Sequence, residues 1–63
     1  MDYYDLERVI DMLPDKQRRR IIQRYYMDMT VEEIARYEKV SETAVYLSMS
    51  KAICFIRRKL TED

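Results

Sequence analysis

The stretch TVEEIARYEKVSETAVYLSMSK, residues 30–51, decides the fold. Thr30 followed three residues later by Glu33 is a capping box: the hydroxyl accepts from a first-turn amide, and the carboxylate reaches back to the amide of the capping residue. Ser41 is a second N-cap. Between the two caps, Val31, Ile34 and Ala35 make the inward face of a segment of about seven residues, too short to persist as a helix without packing. After Ser41, Val45, Met49, Ala52, Ile56 and Leu60 recur at intervals of 4, 3, 4 and 4, one long helical stripe. A short capped helix, a turn of three to four residues and a second capped helix with an early valine is helix-turn-helix spacing. Ala35 is small enough to let the two helices cross closely. Ile34, Val40 and Val45 are expected to seal that crossing.

Two further helices are legible upstream. Leu6, Val9, Ile10 and Leu13 fall at i, i+3, i+4 and i+7, one amphipathic stripe, with Asp2 and Asp5 near its positive end. Pro14 lacks an amide donor and disfavours helical geometry at Leu13, so it ends the first helix and can open the second. The second is expected over residues 14–27, with Ile21, Ile22, Tyr25, Tyr26 and Met29 apolar and Lys16, Arg18, Arg19, Arg20 and Arg24 on its polar face. Tyr25 and Tyr26 are read as core or core-edge. Tyr37 is read as padding for the turn, and Tyr3 and Tyr4 as folding back over the first helix or lying free. Residues 61–63 are expected to fray. The fold class is therefore all-α: one small four-helix domain over residues 1–63, its helix-turn-helix at about 30–51, its last helix long.

Composition excludes most other classes. The 63 residues contain no glycine, one proline, one cysteine and no histidine. Tight β turns and glycine-rich phosphate loops need glycine, so all-β folds and nucleotide loops are excluded. A lone Cys54 makes no internal disulfide, and without histidine no zinc site is expected. No apolar run approaches the ~18 residues of a membrane span. No constellation for acid–base, nucleophilic or metal chemistry exists, so no enzyme, cofactor or small-molecule substrate is expected. The expected compartment is the reducing cytoplasm. Twelve basic residues balance twelve acidic ones, but the zero total conceals polarity. Residues 16–27 carry five positive charges and no negative one, whereas residues 1–15 carry one positive and five negative. Local cation density near phosphates, not net charge, governs DNA affinity.

From residue 13 to residue 60 the chain resembles region 4 of the sigma-70 family of bacterial sigma factors, and is similar to small sigma-like regulators of phages and mobile elements. The resemblance rests on Leu13-Pro14, the basic helix with Arg18 and Arg24, Tyr25-Tyr26, the Thr30-capped helix with Glu32, Glu33, Ile34 and Ala35, and Val40, Ser41, Ala44, Val45, Ser48 and Ala52. It covers about three quarters of the chain. It implies a recognition helix in the major groove of a promoter −35 element, and an apolar groove holding the flap-tip helix of the RNA polymerase β subunit. These residues leave no space for region 2. The expectation is region 4 alone, as an excised domain or as a stand-alone regulator. The chain departs from the family pattern in three ways. Lys39 stands at the turn position where glycine is usual, at a cost of order 1 kcal/mol if it is left-handed. Tyr46, Leu47, Ser48 and Ile53 stand where lysine or arginine is frequent. Leu47, Cys54 and Phe55 are apolar outside or at the edge of the helical stripe.

With Val45, Met49 and Ala52 inward, Glu42, Thr43, Tyr46, Leu47 and Ser50 point outward and are the candidates for base contact. Thr43 and Ser50 can hydrogen-bond to base edges, Tyr46 and Leu47 can meet a thymine methyl, and Glu42 can accept from a cytosine amino group. The candidates for phosphate contact are Arg18, Arg19, Arg20, Thr30, Ser41 and Lys51. The amides behind Thr30 suit an anion because a helix N-terminus carries partial positive charge. Leu47, Cys54 and Phe55, with Ile53, form a candidate partner surface, for a homodimer seam, the polymerase flap or an anti-sigma factor. The expected partners are double-stranded DNA and RNA polymerase, with no membrane. The competing reading is a helical interaction adaptor that docks on protein and does not bind DNA.

Overall fold

The computed structural model describes residues 3–62, and the side chains of residues 5–62. It contains helices α1 (Tyr3–Asp11), α2 (Asp15–Ile21), α3 (Val31–Glu38) and α4 (Glu42–Thr61), with a π-helical turn (Ile22–Tyr26) continuing α2. Expectations for Asp2, for the Tyr3 and Tyr4 side chains and for Asp63 fall outside the described residues.

Pro14 divides α1 from α2 as its chemistry requires, although it caps α2 from outside rather than forming its first turn. Its backbone is extended (φ −55°, ψ 149°), and its carbonyl accepts from the Arg18 amide at 2.9 Å. The last turn of α1 tightens to three-residue bonds, Met12 to Val9 and Leu13 to Ile10.

The second helix is not regular to residue 27. Its last turn widens, with the Met27 amide donating to the Ile22 carbonyl five residues back at 3.1 Å. Asp28 turns left-handed at φ 55°, and the Met29 amide then closes onto the Gln23 carbonyl at 3.0 Å. A wide turn advances the inward register, so Ile21 and Gln23 are buried where a regular helix would bury the tyrosines. Tyr25 and Tyr26 are consequently 56 % and 46 % exposed, and Ile22 is also at the surface. They are rim residues of the apolar groove, the core-edge of the two roles expected for them.

The helix-turn-helix forms as its caps dictate. The Glu33 amide donates to Thr30 Oγ1 at 3.1 Å and the Thr30 amide to Glu33 Oε1 at 2.9 Å, so both halves of the capping box are present. α3 ends in a Schellman closure: Lys39 is left-handed (φ 57°, ψ 47°), and the Val40 amide reaches the Ala35 carbonyl at 3.0 Å. The Ala44 amide donates to Ser41 Oγ at 3.1 Å and starts α4. Ile34 and Val45, both fully buried, seal the crossing. Val40 does not, because as the residue just after the left-handed position it projects to the edge, 37 % exposed.

Two apolar clusters share α4 as their spine. The first joins Val31, Ile34 and Ala35 to Val45 and Met49, with Met29 packed alongside. The second joins Ile10, Leu13 and Ile21 to Ala52, flanked by Leu6, Ile53, Phe55 and Ile56. Ala52 has no accessible surface, and its small side chain lets α1 and α2 approach α4. α4 stays helical through Thr61, one residue past the expected fraying point, with the Thr61 hydroxyl bonded to the Arg57 carbonyl at 3.0 Å.

Candidate nucleic-acid interface

The first turns of α4 present one continuous exposed face. Val45 and Met49 are held inward by the first cluster, so Glu42, Thr43, Tyr46, Leu47, Ser50 and Lys51 all face solvent. Tyr46 is 56 % and Leu47 58 % exposed. Thr43 and Ser50 lie two turns apart, ~10 Å along the axis, about the separation of three stacked base pairs at 3.4 Å each. Hydroxyl donors and acceptors, a phenol and a branched methyl group together can read base edges and thymine methyls.

The three consecutive arginines of α2 are engaged within the fold. Arg18 pairs with Asp15 and reaches the Asp11 carbonyl at 3.4 Å. Arg19 Nη2 donates to Glu38 Oε1 at 3.0 Å while remaining about half exposed. Arg20 is 3 % exposed. Its Nη1 donates to the Ala44 carbonyl at 3.3 Å and to Ser48 Oγ, and its Nε lies 3.5 Å from Glu38 Oε2. Arg20 therefore points into the protein and cannot meet a phosphate, which corrects its assignment as a phosphate contact. Three residues in a row fan over ~200° of the helix, so they cannot share one face.

Among the described residues, the exposed cations that make no ion pair include Lys16, Lys39, Lys51 and Arg57. Neither Lys39, at the tip of the turn, nor Arg57, two turns below Ser50, was named from sequence as a phosphate contact. Exposure decided both, and sequence does not state exposure. Glu38 was also missed, although a signal existed. A carboxylate in the last turn of a helix opposes the helix dipole and calls for a cationic partner.

Thr30 and Ser41 use their oxygens as caps; the Ser41 hydroxyl proton is left available to donate, whereas the Thr30 hydroxyl also bonds the Glu33 carboxyl. The Glu33 carboxyl is held below its ordinary 4.5 by the bond from the Thr30 amide, then by the Thr30 hydroxyl and the Arg36 charge, against a small opposing effect of burial. This carboxylate already sits at the start of α3.

The three candidate partner residues do not form one patch. Leu47 and Cys54 are exposed on the outward side of α4, seven residues apart. Phe55 is half-buried against the second cluster, with the Arg58 and Lys59 charges 5.8 Å and 5.7 Å from its ring centre. A separate apolar groove runs between α1, the π turn and the lower half of α4, lined by Leu6, Ile10, Ile21, Tyr26, Ile53 and Ile56. Among the described residues no group of potential metal ligands assembles, and no helix is long and apolar enough to cross a membrane.

Among known families, the model described as sigma-70, region 4 matches residues 3–53. No curated protein and no solved structure gives a significant match.

Proposed function

The chain belongs to the sigma-70 region 4 family, whose members are DNA-binding helix-turn-helix domains of transcription, and on that premise we propose that it reads a promoter −35-type element through the major groove. α4 is the reading element. The observation that carries this is its exposed face of Thr43, Tyr46, Leu47 and Ser50, backed by the fully buried Ile34 and Val45. A side chain reads a base only if its helix is held still, and this helix is anchored from behind along its first turns.

Lys51, Arg18 and Arg19 take phosphates on either side, with the Ser41 hydroxyl donating at the start of α4 and the Thr30 hydroxyl, once released from Glu33, at the start of α3. Arg18 and Arg19 must loosen their pairs with Asp15 and Glu38 to do so. Phosphate binding is therefore weak for this domain alone. The family's second partner, RNA polymerase, is received through its β flap in the apolar groove between α1 and α4.

The test is fluorescence anisotropy against a −35-like duplex and a scrambled one between ~50 and ~200 mM salt. Several phosphate contacts cost orders of magnitude in affinity across that range. Binding that favours the promoter duplex supports the reading. No binding to either duplex at the lowest salt refutes it. One observation favours the adaptor reading in that event. Leu47 is exposed in the centre of the α4 face while the neighbouring arginines are paired internally, a surface suited to a protein partner or a second copy.

A further inference from the structure

Arg20 is the most deeply buried cation among the described residues, and it lies where three helices meet. Its guanidinium comes from α2, faces Glu38 at the end of α3, and donates to Ala44 and Ser48 in the first two turns of α4. Glu38 has only 9 % of its side chain exposed and is held on its other oxygen by Arg19 at 3.0 Å. Ala44 and Ser48 are one turn apart on the side of α4 that faces α2. Thr43, Tyr46, Leu47 and Ser50 are exposed away from it.

Apolar packing is non-directional, so the contacts of Val45 and Met49 resist separation of the helices far better than rotation of α4 about its axis. A planar guanidinium with fixed donor directions resists rotation and sliding. A side chain on a helix reaches ~5–6 Å from the axis. A rotation of ~20° at that radius moves its tip by ~2 Å, beyond the range over which a hydrogen bond to a base edge survives.

We infer that Arg20, bridged to Glu38, is a positioning residue that sets the rotation of α4 and thereby its discrimination between DNA sequences, without touching DNA itself. This rests on the DNA-reading proposal for α4. Burying such a pair adds little stability over an apolar pair of similar size, so its effect lies in geometry. Lysine does not substitute, because a compact ammonium on a flexible stem does not hold the planar geometry in which Nη1 donates to the Ala44 carbonyl and Ser48 while Nε stays 3.5 Å from the Glu38 carboxylate as an ion pair without a hydrogen bond.

The experiment compares the wild-type chain, Arg20→Lys and the charge-neutral pair Arg20→Met/Glu38→Gln. Each is tested by anisotropy on the −35-like and scrambled duplexes and by amide hydrogen exchange along α4, with far-ultraviolet circular dichroism as the check on folding. Expected for every folded variant is a promoter-to-scrambled affinity ratio at least fivefold lower; for Arg20→Lys, which keeps the Arg19–Glu38 pair, scrambled-duplex affinity and its salt slope stay within twofold of wild type. Amides of the first two turns of α4 exchange at least tenfold faster, while those around Ala52 keep their wild-type rates. Should the double variant fail to fold, Arg20→Lys supplies the same comparison. The inference is overturned if a folded variant keeps both the wild-type ratio and the wild-type exchange pattern. It is equally overturned if binding to both duplexes falls together with a flatter salt slope, since Arg20 would then be a phosphate ligand. If the wild-type chain shows no preference between duplexes, the DNA-reading proposal fails by itself. Unchanged exchange in the first turns of α4 would then overturn the positioning role separately.

Discussion

Glycine in place of Lys39 should leave the domain more stable than alanine in the same place, and the size of the difference can be worked from the turn geometry. Lys39 sits at φ 57° and ψ 47°, where a Cβ crowds the following carbonyl at a cost of ~1–2 kcal/mol. Glycine removes that crowding but widens the unfolded ensemble, which returns ~0.4–1 kcal/mol. The charge matters as well, because a cation at the end of α3 gains ~0.3–1 kcal/mol from the helix dipole. Lys39→Ala isolates these effects: it loses the charge and keeps the Cβ. Lys39→Gly should therefore exceed Lys39→Ala by ~0.5–1 kcal/mol, or ~2–8 °C in thermal midpoint for a domain of this size. Urea and thermal unfolding followed by circular dichroism measure the difference. Both variants lack the exposed ammonium, so any change in DNA affinity should be the same in the two. If the alanine variant equals or surpasses the glycine variant in stability, the left-handed strain assigned to this turn is wrong.

Four other outcomes are expected. Ile34→Ala empties a fully buried site and should cost ~2–5 kcal/mol, much of the ~3–9 kcal/mol available to a domain of this length, so its unfolding midpoint in urea should drop severely or vanish. Glu33→Gln should reveal acid sensitivity. The wild-type carboxyl has its folded value lowered, so its contribution is complete above 4.5 and is lost as pH falls through the folded value. The gap in thermal midpoint between wild type and variant should therefore narrow on acidification from pH 7 to below 4. Lys51→Ala should weaken binding to promoter and scrambled duplexes alike and reduce the salt slope by ~1, whereas Tyr46→Ala should mainly relax sequence preference. If the two behave identically in a salt titration, the division between phosphate and base contacts fails. Leu47→Asp should leave the thermal midpoint nearly unchanged, within ~0.5 kcal/mol, because the side chain is exposed. A collapse of helicity would place it in the core.

The caps and the spacing between them were readable because they depend on neighbours in sequence. Thr30 and Glu33, Ser41 and Ala44, and the left-handed Lys39 all act within a few residues, and each stands in the structure as the local chemistry predicts. The stripe from Val45 to Ala52 was readable because burial on one side of a helix imposes its own period. Whether Tyr25 and Tyr26 would be core or core-edge was not legible, because a regular helix was assumed through Met27. One wide turn, closed by a left-handed Asp28, shifted which side chains face inward. No local motif announces such a turn.

The arginines show the same boundary at the interface. Sequence placed a dense cationic segment in α2 and left three neighbours interchangeable. The packing of α2 against α3 and α4 turned Arg20 inward to Glu38, Ala44 and Ser48 and paired Arg19 with Glu38, whereas Arg18 is engaged locally by Asp15 and the Asp11 carbonyl. What the sequence determined is what short-range chemistry and helical period determine: four helices, the caps of the third and fourth, the turn between them, and the set of side chains on the outward face of the fourth. Tertiary structure alone decided that Arg19 is paired at the surface and Arg20 is buried against the fourth helix, because those outcomes depend on partners 18 to 28 residues away, brought within reach only when the chain has folded.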